Sequence, residues 1–339
     1  MVVGWDVGGV NTKAAHVAGG GVLAAAVRPF ELQRTPDALV ALLRSLAGEV
    51  GVAGPATHAV TMTAELSQMF RTKRDGVAFV LDALAQAFPA HDIRVFATDG
   101  RFLAPAAARR EHLAVAAANW AATARLVAQR HPDAVLIDVG TTTTDCIPIV
   151  AGAVAATGWT DPDRLASGEL VYTGALRTPV EAIVRDVPYR DGTAGVSAEA
   201  FALAADVHIW RGSLAPRDYT TPTADGRPPA REWCGERLAR VVCADLDLLD
   251  AAAITRIADS VADAQIRSIA SALARIRVRH PDLRRAVVTG LGAFIAAAAA
   301  RAAALEVVHL ASEVGSDAAR CAPAAAVALL LEQDVACRT

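Results

Sequence analysis

The sequence predicts an α/β chain built twice over, and two observations carry that reading. A strand ending in Asp-x-Gly, then a polar turn, then a second strand, begins at Asp6 and restarts 132 residues later at Asp138. Around these, short apolar runs alternate with longer segments whose apolar residues recur three and four apart, which are strand and helix spacings respectively. A repeat this long implies two related lobes, because solenoid repeats run to roughly 20–50 residues.

The elements follow in order. Met1 to Val7 is a strand, Gly8-Gly9 a turn, Thr12 to Val17 a second strand, and Gly19-Gly20-Gly21 leads into a third at Val22 to Val27. Strands joined by short glycine turns make hairpins. Pro36 to Val50 has helical spacing with proline at its start. His58 to Thr63 and Ile93 to Ala97 are strands, with a helix at Val77 to Phe88 between them. Glu111 to Arg130 is expected as one long helix bridging the lobes. The restart runs Ala134 to Val139 as a buried strand, Thr141 to Thr144 as a turn, and Asp145 to Val150 as a strand. Gly158 to Arg240 is rich in Asp, Thr, Gly and Pro, the mark of functional loops or an inserted subdomain. Helices at Ala251 to Arg279, a strand at Ala286 to Thr289, the Gly290-Leu291-Gly292 turn and a helix at Ala293 to Ala304 follow. A strand at Glu306 to Leu310 and a helix at Pro323 to Glu332 close the chain. The expected domains are 1–125 and 126–339, the second carrying a substrate segment at about 158–240.

Composition excludes several classes. The 339 residues carry 33 basic and 36 acidic side chains, a formal charge of −3, which argues against nucleic acid as a partner. The apolar run at Ala293 to Ala300 stops at Arg301, far short of the roughly 20 residues a spanning helix needs. No signal peptide precedes Asp6, so a soluble cytoplasmic protein is expected. The five cysteines form no C-x-x-C pair and no zinc spacing with histidine, which fits reduced thiols. Only two lysines, Lys13 and Lys73, accompany 31 arginines. Lys73 with Arg71 and Arg74 is expected as a solvated basic face.

Three glycine turns suggest a phosphate site. In Asp6-Val7-Gly8-Gly9-Val10-Asn11-Thr12-Lys13, glycine amides can approach an anion, Asn11 and Thr12 add donors, and Lys13 adds charge. Asp6 ends a strand where it can hold hydrated Mg²⁺. Asp138-Val139-Gly140-Thr141-Thr142-Thr143-Thr144-Asp145 sets four hydroxyls between two carboxylates, with Asp138 or Asp145 ordering metal water. The third, Gly290-Leu291-Gly292, is weak by itself. No P-loop, G-x-S-x-G elbow or H-E-x-x-H helix exists.

In this order the turns resemble the acetate/sugar kinase, chaperone and actin superfamily, and especially its hydantoinase A/oxoprolinase branch. The resemblance implies a two-lobed, actin-like and ribonuclease H-like duplicated fold, with mixed sheets flanked by helices and an interlobe cleft. Longer strings narrow it: Gly4 to Ala15, Thr61-Met62-Thr63-Ala64-Glu65-Leu66, Asn119 to Ala124, Gly168 to Val180, Ala205-Asp206-Val207-His208, and Thr223-Ala224-Asp225-Gly226. These are similar to tetrahydromethanopterin-linked one-carbon-transfer pathway proteins, whose members include the methanofuran-biosynthesis enzyme coupling an aminomethylfuran diphosphate to γ-glutamyltyramine.

That resemblance implies an alkyl transfer in which a phenol oxygen attacks a furfuryl CH₂ and pyrophosphate leaves. The diphosphate would be gripped by Gly8, Gly9, Asn11, Thr12, Lys13, Gly140, Thr141, Thr142, Thr143, Thr144, Gly290 and Gly292. Asp6, Asp138 and Asp145 are the expected Mg²⁺ ligands. Asp6, Asp145, Glu169 and His208 are the expected catalytic groups, with His208 as phenol base. Tyr172, Thr173, Arg177, Asp206 and Asp225 would line the substrate site, Arg177 pairing with a phosphate or carboxylate. Glu65, Asp99 and Asn119 are further polar positions with no assigned role. The partners expected are the two small-molecule substrates, with no nucleic acid or membrane, and a homodimer is the oligomer considered. Two other readings stay open: an ATP-dependent hydrolase or kinase using the same turns, and a non-catalytic nucleotide-gated assembly factor.

Overall fold

The computed structural model describes every residue except 90, 338 and 339. Its first sheet has six strands: β1 (Val2–Val7), β2 (Asn11–Ala18), β3 (Gly21–Pro29), β4 (Thr57–Met62), β5 (Asp92–Phe96) and β6 (Phe102–Leu103), in the order β3-β2-β1-β4-β5-β6. β1 pairs antiparallel with β2 and parallel with β4, so the sheet is mixed. Hairpins need only a turn between strands, whereas the parallel β1–β4 pair needs a crossover, here the helix Leu39–Glu49.

The second sheet repeats the plan with β7 (Ala134–Val139), β8 (Thr144–Val150), β9 (Ala153–Val154) and β10 (Leu170–Val171). A separate hairpin, β11 (Asp186–Tyr189) and β12 (Gly192–Gly195), intervenes before β13 (Arg285–Thr289) and β14 (Glu306–His309). The order is β10-β8-β7-β13-β14, with β9 also pairing with β8. In both sheets the strand ending in Asp-x-Gly is central, its hairpin partner on one side and a later strand on the other. The duplication inferred from Asp6 and Asp138 is therefore a duplication of topology.

Two compact units result: residues 1–136, 147–164 and 309–339 form the first, and residues 137–146 and 165–308 the second. The sequence expected everything after 126 in one lobe. The last helix, Ala322–Ala336, instead packs on β1, because Gly4 has no side chain where the Ala324 carbonyl lies and Ala324 to Ala326 are buried and small. The first unit's core is otherwise ordinary amphipathic packing. Leu39, Leu43 and Leu46 of one helix and Val77, Val80, Leu81 and Leu84 of another join Trp5 and Val60. Each such side chain contributes about 1.5–3 kcal/mol on burial.

Two expectations change. Glu111 to Arg130 is two helices, His112–Val115 and Asn119–Ala128, separated by Ala117 at φ 48°. Ala116 bridges to Met62, so pairing with β4 outweighs the helical preference of an alanine run. The Val77 helix begins earlier, at Lys73, because Thr72 and Asp75 form a capping box. The 158–240 segment holds ordered elements, including helices Ala204–Trp210 and Arg231–Arg240. These bury Val207, Trp210 and Leu238 with Ile254, Ile257 and Val261 of the long helix Ala251–Arg279. Among the described residues no helix is long and apolar enough to cross a membrane, and all five cysteines are free thiols.

Candidate active site

In the first unit the turn after β1 is closed by its own backbone: the Gly8 amide donates to the Asn11 carbonyl at 3.0 Å. A Cβ on Gly8 would overlap that carbonyl oxygen, whereas one on Gly9 would meet nothing. The Gly8 amide is therefore committed to the turn and is not available to an anion. Register places Asp6 between Lys13 of β2 and Thr61 of β4. Lys13 Nζ lies 2.9 Å from Asp6 Oδ2. Asp6 Oδ1, Thr12 Oγ1 and Thr61 Oγ1 are buried without hydrogen-bond partners. Buried polar atoms are rarely left so, and a cluster of them marks a place built to receive a ligand, ion or water.

The same strand end carries Glu65. The Thr63 amide donates to the Val7 carbonyl at 2.9 Å, fixing the chain beside the turn, and Ala64–Leu66 form a short 3₁₀ helix. Gly76 lets the helix Lys73–Ala87 rest directly on the Glu65 backbone. Glu65 is 1% exposed, and neither carboxylate oxygen has a hydrogen-bond partner. Lys73 Nζ stands 4.0 Å away and is itself paired with Asp161 at 2.9 Å. Asp161 also faces the buried Arg164 at 3.6 Å, whose guanidinium stacks on Trp120. Burial raises the Glu65 pKa to about 7, against the lowering pull of Lys73. Lys73 is thus part of a half-buried ion-pair network, where the sequence expected a solvated basic face; Arg71 and Arg74 are exposed as expected.

The second unit repeats the turn at the same offset. The Gly140 amide donates to the Thr143 carbonyl at 2.9 Å, so it too closes the turn. Its surroundings differ. Ala175 donates to the Gly140 carbonyl, Leu176 and Arg177 donate to the Thr141 carbonyl, and Thr144 Oγ1 donates to the Thr173 carbonyl at 2.6 Å. Gly174 lies against the Thr141 and Thr142 backbone so closely that a Cβ would clash. On the other side Gly292 donates to the Val139 carbonyl at 2.8 Å. Gly290, at φ 88°, leaves space that Asp138 Oδ1 and the Val139 carbonyl occupy. Three strings far apart in sequence therefore meet: the threonine turn, Gly168–Val180 and Gly290–Gly292.

This constellation can be set beside known proteins. The family model described as hydantoinase/oxoprolinase matches residues 56–334. The chain belongs to the hydantoinase/oxoprolinase family. A relative from Methanocaldococcus jannaschii, named (4-{4-[2-(gamma-L-glutamylamino)ethyl]phenoxymethyl}furan-2-yl)methanamine synthase, is 34% identical over 99% of this chain and 98% of its own length. A synthase of the same name from Methanococcus vannielii is 31% identical over 59% of this chain and 91% of its own. Component A of (R)-2-hydroxyglutaryl-CoA dehydratase from Acidaminococcus fermentans overlays 99% of this chain and 98% of its own at 11% identity, with a TM-score of 0.49. The duplicated strand order itself, rather than that overlay, defines the fold.

Within this family member the middle block serves mostly as scaffold. Glu169 is fully buried and paired with Arg279 at 2.9 Å, so it is not the free acid or base expected. His208 is 2% exposed, packed edge-on against Phe294, and bonded through Nε2 to Gln265 Oε1 at 2.9 Å. Gln265 passes the connection to Thr173 Oγ1 and the Gly174 carbonyl. Burial lowers the His208 pKa to about 4, so the ring is neutral and clamps the block from beneath instead of serving as an accessible base. Asp206 caps its helix at the Leu203 amide and pairs with buried Arg237 at 2.8 Å; Arg237 also holds Asp225 at 3.0 Å. Thr173 is buried, which leaves Tyr172, 61% exposed, and Arg177, also exposed, as the side chains of the block that face solvent. Asp138 and Asp145 are buried and neither is free of partners. Glu65 lay in a recognised string, and the scarcity of lysine marked Lys73. Gln265 and Arg237 had no sequence signal, being polar residues inside ordinary helices.

Proposed function

We propose that the chain is a furanylmethyl transferase, which joins the phenol of γ-glutamyltyramine or tyramine to an aminomethylfuran-methyl diphosphate and releases pyrophosphate. The observation that carries this reading is the 34% identity to the M. jannaschii synthase over 98% of that relative's length. The product in that relative's name is an aryl ether on a furan-bearing CH₂. Its formation needs a leaving group on that carbon, a positioned phenol and a proton acceptor. The furan oxygen stabilises positive charge developing at the CH₂, so the main task of the protein is to hold and neutralise the diphosphate.

The first turn suits that task. The Gly9 and Val10 amides make no hydrogen bond among the described residues, Thr12 Oγ1 is unpartnered, and Lys13 brings charge. On the other unit, the hydroxyls of Thr142 and Thr143 are partly exposed. The donor set at the first turn fits Mg²⁺, because Asp6 keeps one oxygen unpartnered and Mg²⁺ characteristically takes one or two carboxylates with substrate phosphates. Such an ion would supply charge neutralisation for the leaving diphosphate. Among the described residues no three His, Cys, Asp or Glu side chains form a dedicated cage, which leaves phosphate oxygens to complete its shell.

Calorimetric titration with Mg²⁺–pyrophosphate and, separately, Mg²⁺–ATP tests the reading, followed by mass spectrometry of the furan diphosphate and tyramine reaction. Pyrophosphate binding and ether formation without ATP are expected. ATP hydrolysis in the absence of any furan would replace this reading with an ATP-dependent enzyme.

A further inference from the structure

We propose that Glu65 is the base of ether formation, taking the phenol proton at the carboxyl end of β4 beside the Gly8–Gly9 turn. The inference rests on the transferase reading above and adds the missing proton acceptor. Its first support is position. β1 and β4 run parallel, and in α/β sheets ligands gather where parallel strands end. Thr63 is bonded to Val7 and touches Gly8, so Glu65 follows two residues after the contact with the proposed diphosphate turn.

The second support is what surrounds the carboxylate. A structural buried carboxylate is normally satisfied by donors, as Glu169 is by Arg279 and Asp206 by Arg237 and the Leu203 amide. Glu65 has neither oxygen satisfied. The charged groups facing it are Lys73 from the helix above, Asp161 from the helix Asp161–Ser167, and Asp6 from β1. Lys73 keeps the carboxylate form within reach, while burial and the two aspartates oppose it, bringing the pKa to about 7, where a general base works best. The other carboxylates named for catalysis are engaged: Asp6 with Lys13, and Asp138 and Asp145 with partners of their own.

The step balances. The phenol O–H bond breaks and its proton passes to a Glu65 oxygen. The phenol oxygen bonds to the furfuryl CH₂, and the CH₂–O bond to diphosphate breaks with its electron pair retained by the diphosphate. Beside the buried Glu65, Lys73 and Asp161 are partly open to solvent, their side chains 22% and 17% exposed. Leu66 and Met69, apolar and 56% and 38% exposed, offer the ring a surface close by in sequence.

The test uses the full chain and its Glu65→Gln variant with the furan diphosphate and a series of para-substituted phenols between pH 5 and 9. Wild-type kcat/KM should rise through about pH 7 and level off. E65Q should lose about 10²–10⁴-fold, lose that rise, and depend more steeply on phenol acidity. Its Mg²⁺–pyrophosphate affinity should stay unchanged. E65Q turnover near wild type with the same pH profile overturns the role of Glu65 alone, and so does equal loss of turnover and pyrophosphate binding, which would make the residue structural. A wild-type chain that forms no ether overturns the transferase reading and the base with it. Should E65Q not fold, Glu65→Asp replaces it, expected to keep the pH rise at a lower rate. Infrared titration of the wild type should in any case show a buried carboxyl ionising near neutrality, and a carboxylate throughout would sink the proposal.

Discussion

The two Asp-x-Gly turns have the same backbone bond, Gly8 to Asn11 and Gly140 to Thr143, yet they are supported in opposite ways. The first is held by local strand pairing and surrounded by charge: Lys13 on Asp6, with Glu65 and its lysine nearby. The second is braced by backbone from the Gly168–Val180 and Gly290–Gly292 strings, with the His208–Gln265–Thr173 hydrogen-bond chain beyond them. Duplication supplied one scaffold; the connecting segments left unpartnered polar atoms beside one copy and packed backbone around the other. A ligand site needs unsatisfied polar atoms, and a brace needs satisfied ones, so neither turn could serve both ends equally.

The largest effect should come from the brace. Gly290→Ala and Gly174→Ala force a Cβ into neighbouring backbone, and at Gly290 the positive φ adds strain. Each should cost more than about 3 kcal/mol or prevent folding. Gly140→Ala, whose Cβ would sit 3.5 Å from the Thr143 carbonyl, should stay within about 1 kcal/mol. Urea unfolding separates these outcomes, and a tolerated Gly290→Ala would show that the brace is not needed.

Glu65 and His208 should also respond oppositely to pH. His208 titrates near 4 in the folded chain, below its ordinary 6.5, so the unfolded chain binds more protons between those values. Stability from this group is therefore lost as pH falls from 6.5 through 4. His58 behaves alike, bonded to Trp5 and His91 at 2.8 Å each and lowered to about 4 by burial and the His91 charge. Glu65 is raised to about 7 from 4.5, so its contribution is complete below 4.5 and is lost as pH rises through 7. Each limb is on the order of 3 kcal/mol. Unfolding at pH 5, 7 and 9 should show Glu65→Gln gaining on wild type at high pH, and His208→Gln losing the acid limb. Matching pH curves for all three proteins would contradict the contrast.

The smallest effect concerns anion binding. Lys13→Met should weaken Mg²⁺–pyrophosphate binding about tenfold, the loss of one charge-assisted contact of roughly 1.5 kcal/mol. Calorimetry that shows no change for Lys13→Met would remove the first turn from the diphosphate site.

Much of this was legible in the residues. Strand and helix positions follow from local apolar spacing, and the duplication from two Asp-x-Gly strings, because period and turn chemistry are properties of neighbours in the chain. The break at Ala117 was not legible, since an alanine run favours helix and only pairing of Ala116 with Met62 overrides it. The roles of Glu169, His208 and Glu65 were not legible either. All three are chemically capable, and what separates them is partnership: Arg279 pairs with Glu169 and Gln265 bonds His208 Nε2, while neither Glu65 oxygen has a hydrogen-bond partner and Lys73 stands 4.0 Å away.

The sequence by itself determined the two-fold α/β plan, the glycine turns and the family, which depend on local pattern. Only the tertiary structure decided that Ala322–Ala336 folds with β1, that Gly168–Val180 braces the threonine turn, and which buried carboxylate is left without a hydrogen-bond donor. Those outcomes rest on close approach between residues from about thirty to more than three hundred positions apart, or on the absence of a hydrogen-bond donor, and neither leaves a trace in local spacing.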